Sequence, residues 1–167
     1  MQLPNSIIEI QGAAFNAQES LAITDLPEDL IEIGSQAFMG CKNIRISYIG
    51  NNIVRINEGA FNGAYGFSEY SPQTITIGDS VEFIGNNAFS QYGNNHPSSY
   101  LTEIIIGSGI QSIANNAFRY RVTSANTINH IVIDINSYEA PEGVVNTKRW
   151  GATNAIIDWK DREEGLE

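Results

Sequence analysis

Residues 101–118 read LTEIIIGSGIQSIANNAF. Leu101, Ile104 and Ile106 are spaced so that Ile104 and Ile106 share one side of an extended chain and Ile105 takes the other. Gly107-Ser108-Gly109 then forms a turn, because glycine tolerates positive φ and serine bonds its own backbone. Ile110 and Ile113 follow at a spacing of three, and the stretch closes on Ala117-Phe118. None of these aliphatics has a partner within the stretch, so their burial requires another piece of chain of the same shape.

The rest of the chain supplies it. Ala-Phe recurs at Ala14-Phe15, Ala37-Phe38, Ala60-Phe61, Ala88-Phe89 and Ala117-Phe118, with Phe-to-Phe spacings of 23, 23, 28 and 29. Five residues before each Phe stands Ile10, Ile33, Ile56, Ile84 or Ile113. Eight before stands Ile7, Leu30, Ile53, Val81 or Ile110, and twelve before stands Leu3, Leu26, Ile49, Ile77 or Ile106. A turn separates the last two columns in every copy, from Pro4-Asn5-Ser6 to Gly107-Ser108-Gly109. Upstream of the turn lie alternating segments: Leu21-Ala22-Ile23, Ile44-Arg45-Ile46, Ile75-Thr76-Ile77 and Ile104-Ile105-Ile106, with Ile131-Val132-Ile133 after the last Ala-Phe. Repeats of this length cannot bury their apolar side alone and must stack. The pattern predicts a β-rich solenoid of five repeats of about 23–29 residues, each turn adding one strand to a parallel sheet.

The pattern Leu101-x-x-Ile104-x-Ile106-Gly-x-x-Ile110-x-x-Ile113-x-x-x-Ala117-Phe118 resembles the BspA-type leucine-rich repeat. That family writes Pro after the second strand aliphatic, Ile-Gly after the fourth and Ala-Phe-x-x-Cys at the end. This chain has Pro4 and Pro27, Ile33-Gly34 and Ile84-Gly85, and a single Cys, Cys41. The resemblance spans residues 3–135 and implies a bacterial surface protein that attaches to host proteins, cells or glycans. It implies no catalytic residues, and a small buried packing role for Cys41.

Composition narrows the partners. The 167 residues carry 9 Lys plus Arg against 19 Asp plus Glu, a formal net charge of -10. Such a surface repels nucleic-acid phosphates and anionic membranes. With 42% hydrophobic and 17% charged residues the chain has material for a core. One cysteine excludes an internal disulfide. No apolar run reaches the roughly 18 residues needed for direct membrane insertion. Met1-Gln2-Leu3-Pro4 has neither the basic nor the apolar region of a signal peptide. The repeat begins almost at once, which predicts a module of a larger extracellular, cell-surface or virion protein.

Three parts follow from the pattern: a solenoid over 1–135, a capping segment over 136–159, and a charged tail over 160–167. Pro141-Glu142-Gly143 breaks the repeat. An array must cover its last open face with something atypical, so Ile156 or Ile157 and one of Trp150 and Trp159 are expected over the end. The first coil has no comparable cover, which predicts either self-association through the N-terminal end or a further repeat upstream.

Two surfaces are candidates for binding. The gaps from Phe61 to Ile75, Phe89 to Ile104 and Phe118 to Ile131 are 14, 15 and 13 residues, against 6 in the first two copies. Insertions of about eight residues at one point of three successive coils would stack into a ledge. They carry Tyr65, Phe67, Tyr70, Tyr92, His96, Tyr100, Arg119, Tyr120 and Arg121 among Asn, Ser and Gly. Aromatics mixed with small polar residues suit adaptable recognition of protein or glycan. The second candidate is the outer face of the sheet, where the middle column reads Ala22, Arg45, Thr76, Ile105 and Val132.

Chemistry is poorly represented. His96 falls in a Gly/Asn/Pro/Ser-rich loop, and His130 stands ahead of a strand and points outward. Neither has a metal-ligand spacing or triad order, and Gly107-Ser108-Gly109 lacks the third glycine of a phosphate loop. No cofactor or metal is expected. The expectation is a recognition module, with the host-recognition domain of a phage tail or a structural spacer as alternatives.

Overall fold

A computed structural model describes residues 2–50, 52–64, 74–90, 101–119, 128, 130–145, 149–152 and 155–160. The described chain is a stack of coils whose strands form two parallel sheets rather than one, the first two coils giving strands to the first sheet alone. The first sheet joins β1 (Glu9–Ile10), β2 (Glu32–Ile33), β4 (Arg55–Ile56), β6 (Phe83–Ile84) and β8 (Ser112–Ile113) in that order. The second runs β3 (Tyr48–Ile49), β5 (Thr74–Ile77), β7 (Glu103–Ile106), β9 (His130–Ile133) and β10 (Ile156–Trp159). The second is the sheet expected from the Ile-x-Ile segments. The first arises where the chain straightens between the last two aliphatic columns, long enough for two residues to pair with the next coil.

Register follows the columns. Ile10, Ile33, Ile56, Ile84 and Ile113 are successive partners in the first sheet. Ile77, Ile106 and Ile133 are successive partners in the second. From Ile33 to Ile133 these side chains are at most 4% exposed, a continuous core in which each fully buried Ile contributes about 1.5–3 kcal/mol. The phenylalanines form a third ladder. Phe15, Phe38, Phe61 and Phe89 stack at 5.2–5.3 Å between centroids with planes within 10°. Phe118 continues the row at 5.9 Å, tilted by 34°.

The Ala-Phe turns are also hydrogen-bonded from coil to coil. The Phe15, Phe38, Phe61 and Phe89 amides donate to the carbonyls of Ala37, Ala60, Ala88 and Ala117 at 2.8–2.9 Å. In the sheets the donors point the other way, as in Gly34 to Ile10 and Gly85 to Ile56 at 2.8 Å. The reversal is made by left-handed residues two before Phe (Ala13, Gln36, Gly59, Asn87) and two after it (Ala17, Gly40, Gly63).

Ile-Gly is explained by close approach. A Cβ on Gly34 would stand 2.6 Å from the Gly12 nitrogen, and one on Gly85 would stand 2.6 Å from the Glu58 nitrogen. Both neighbours are backbone and cannot step aside. Gly85→Ala is expected to lower stability by about 1–3 kcal/mol, the range for overpacking. In the same column Ala114 already carries a Cβ, so Ala114→Gly should cost no more than about 1 kcal/mol. Urea unfolding midpoints of the two variants test the difference.

After β9 the chain makes a degenerate coil. Gly143 accepts from the Ile113 amide at 3.0 Å and Val144 is fully buried. Trp150 accepts from the Phe118 amide at 3.0 Å, in the role Ala117 plays for Phe89. Its indole meets the Phe118 ring edge-on at 6.2 Å and is 1% exposed. β10 then extends the second sheet. Trp150 is thus the indole over the end. Ile157 and Trp159 pack against the core while Ile156 is exposed. Lys160 pairs with Asp134 at 3.2 Å, and 161–167 lie outside the described residues. At the opposite end Ile7, Phe15, Leu21 and Leu26 are only partly buried.

Candidate functional site

The strand alternation that buries Ile75, Ile77, Ile104, Ile106, Ile131 and Ile133 presents the intervening residues on the outer face of the second sheet. Its central row is Tyr48, Thr76, Ile105, Val132 and Asp158 by register. Three of the five residues expected there, Thr76, Ile105 and Val132, are present. Arg45 is not one of them. Coil 3 contains two overlapping aliphatic patterns, Ile44-x-Ile46 and Ile46-x-x-Ile49, and the strand forms on the later one. Tyr48 therefore stands opposite Thr76, and Arg45 lies exposed outside the strand, its amide donating to Ile23 at 2.9 Å. Ala22 likewise lies outside the sheet.

The same shift resizes the insertions. Measured from Phe to the strand residues that register makes equivalent, the path is 11 residues from Phe38 to Ile49. It is 16 to Ile77, 17 to Ile106 and 15 to Ile133. The last three coils thus carry about five extra residues, not eight. Tyr65, Phe67, Tyr70, Tyr92, His96, Tyr100, Tyr120 and Arg121 lie outside the described residues. Arg119, at the start of the third insertion, is exposed and stands against the cap, where a Cβ on Gly151 would come within 2.9 Å of its Cα.

A second row on the sheet face is polar. Thr74 donates its hydroxyl to Glu103 Oε2 at 3.0 Å. Glu103 Oε1 lies 2.7 Å from His130 Nδ1, and Asp158 Oδ2 lies 2.7 Å from His130 Nε2. His130 points outward from its strand as expected, and sequence reading missed its partners. Asp158 belongs to the cap strand, for which no column predicted a place. The arrangement links four successive strands rather than converging on a point. Among the described residues no group of three or more His, Cys, Asp or Glu side chains is placed to hold a metal ion.

With a carboxylate at each ring nitrogen, only the imidazolium donates on both sides. The bond to Asp158 foremost, and Glu103 with it, raises the His130 pKa above its ordinary value near 6.5 against partial desolvation. A raised folded pKa stabilises the fold fully below about pH 6.5, and the contribution is lost as pH rises through the raised value. The thermal midpoint should therefore fall from pH 6 to pH 9 in the parent chain. His130→Gln should flatten that portion of the profile, and an unchanged slope in the variant would remove His130 from the account.

Cys41 is buried, its thiol donating to the Phe15 carbonyl at 2.9 Å, and burial pushes its pKa up. Both features oppose thiolate formation, leaving a packing residue. No helix among the described residues is long and apolar enough to cross a membrane.

Two parallel sheets wound from Ile, Leu and Phe columns define a leucine-rich-repeat solenoid. The family model described as BspA type leucine rich repeat region matches residues 1–66 and 63–140 in six copies, and the chain belongs to that family. No curated protein matches the chain. Among solved structures, a leucine rich cell surface protein from Faecalibacterium prausnitzii is similar at 21% identity and a TM-score of 0.37. The match covers 95% of this chain and 52% of that one, so this chain spans about half the length of that protein.

Proposed function

We propose that the chain is a non-catalytic recognition module of a bacterial surface protein and that it binds a protein partner across the outer face of its second sheet. The observation that carries this reading is the central row from Tyr48 to Asp158. Five strands in unbroken register hold a preorganised face whose outward residues vary from coil to coil while the inward ones do not. A rigid face of this kind binds without the cost of ordering loops. Membership of the BspA-type family supports a surface location and an interaction role. The insertions after Phe61, Phe89 and Phe118 lead into the strands of this sheet, and their aromatics are proposed to extend the contact.

Ile105→Glu combined with Val132→Glu puts two carboxylates at the centre of the face without touching the core. Immobilised parent chain and variant should be compared against purified host matrix proteins and a glycan array. The expected result is a protein ligand held by the parent and lost at least tenfold by the double variant, with thermal midpoints within a few degrees. Retention of the glycan array alone, or equal protein binding by the variant, would sink the reading.

A further inference from the structure

Where coils 2 and 3 run side by side, they part to leave a groove of about 400 Å³. Leu30 and Ile53 lie buried beneath it, and it is lined by Asp25, Glu28, Tyr48 and Asn52. Tyr48 is 46% exposed, and its ring leans over the turn, toward Gly50 and Gly78. Glycine at those positions leaves room for it: a Cβ on Gly78 would lie 3.1 Å from the Tyr48 hydroxyl. The Asn52 amide is committed to the Glu28 carbonyl at 2.8 Å, which ties the rim across the two coils and leaves the Glu28 carboxylate exposed. No Lys, Arg or His is among the described residues that line the groove.

An apolar strip begins at its margin. Ile31 and Val54 follow directly on Leu30 and Ile53, and backbone bonds align them with Ile8: the Ile31 amide donates to Ile8 and the Val54 amide to Ile31, at 2.9 and 2.8 Å. Ile8 is 61% and Ile31 49% exposed. Glu9 and Glu32 run beside the strip on β1 and β2. Isolated exposed aliphatics are ordinary, but Ile8 and Ile31 exposed in register, with half-buried Val54 beside them and a carboxylate-rimmed groove next to the strip, form a patterned surface.

We propose that this groove and strip form a docking site for a polypeptide segment in which a basic side chain is flanked by aliphatic ones. The cation enters the groove, between the carboxylates of Asp25 and Glu28 and the face of Tyr48, and the aliphatics cover Ile31 and Val54. Charge selects this occupant. A rim with two carboxylates, on a chain of net charge -10, rejects anionic ligands and favours a cation, for which an exposed tyrosine face adds cation–π attraction. A second copy of the same acidic chain is disfavoured for the same reason. This inference rests on the reading of the chain as a recognition module; it shares Tyr48 with the edge of the second sheet's outer face, whereas Asp25, Glu28 and Ile31 lie outside that face.

The test is amide chemical-shift mapping of the full chain at about 0.15 M salt. The probe is an acetylated, amidated pentapeptide alternating leucine and arginine; its counterpart has glutamine in place of arginine. The arginine peptide is expected to move the amides of Ile31, Tyr48 and Val54. Glutamine should weaken binding roughly tenfold, as should Tyr48→Ala and the pair Asp25→Asn with Glu28→Gln. The pair Glu139→Gln with Glu142→Gln, on the cap turn, should leave affinity unchanged. Ile105→Glu with Val132→Glu should also leave it unchanged, which separates this site from the sheet face. Shifts scattered over the acidic surface, or equal weakening by the cap pair, would overturn the proposal as unspecific charge attraction. So would a neutral oligosaccharide such as cellotetraose moving the same amides while the peptide moves none.

Discussion

Replacing Ile84 by aspartate is expected to abolish cooperative unfolding. Ile84 is fully buried and lies between Ile56 and Ile113 in register, on the fourth of the five strands of the first sheet. Its neighbours are aliphatic and aromatic, so a carboxylate there finds no cation. A lone buried carboxylate costs several kcal/mol even after relaxation, and the lost isoleucine burial adds about 1.5–3 kcal/mol. Together these approach the whole stability of an ordinary domain, about 5–15 kcal/mol. The array cannot distribute the damage, because each coil touches only its neighbours and the defect cuts the stack in two. Circular dichroism during heating should show a broad, low-amplitude transition. Ile156→Asp, at an exposed position of the cap strand, should leave the midpoint within a few degrees. A sharp, parent-like transition in Ile84→Asp would mean that the column is not the core.

Trp150→Ala is expected to cost about 3–5 kcal/mol, the range for removing a buried large aromatic. Among the described residues the indole is the last ring of the phenylalanine row, so the space it leaves opens directly onto Phe118. Its placement depends on two consecutive left-handed residues, Trp150 at φ 49° and Gly151 at φ 91°, which turn the ring across the end of the stack. The indole Nε1 is buried without a hydrogen-bond partner among the described residues. An unsatisfied donor opposes burial, so Trp150→Phe should cost much less than Trp150→Ala. Equal losses in the two variants, read from urea midpoints, would assign the effect to the turn rather than to the ring.

The core columns were legible because each is a row of one chemical type at constant offset from Phe. Ile10 to Ile113 could be counted before any coordinate existed, and the register follows that count. The strand of coil 3 was misplaced by three residues because Ile44, Ile46 and Ile49 offer two alternations, and periodicity alone does not choose between them. The choice is made by the neighbouring coil, whose Thr76 and Ile77 pair with Tyr48 and Ile49. Tyr48 and its groove were missed for that reason. The first sheet was missed because two residues per coil are too few to alternate. His130 was read as a bland outward residue, since its ligand on the far side, Asp158, belongs to a strand outside the repeat. What one coil's sequence cannot express is which residue the next coil lays beside it.

The coil-to-coil bonds of the Ala-Phe turns and those of the sheets face opposite ways, so each coil is both donor and acceptor toward each neighbour. The junctions through the Ala-Phe turns therefore share one backbone pairing from coil to coil, whereas Trp150 and β10 depart from the repeat. A gene segment encoding one whole coil, duplicated in frame, would meet a matching surface above and below and leave the terminal lid undisturbed. Array length is in this sense a freely adjustable dimension of the protein, and the span of its exposed face can change in steps of one strand without redesign of the interior.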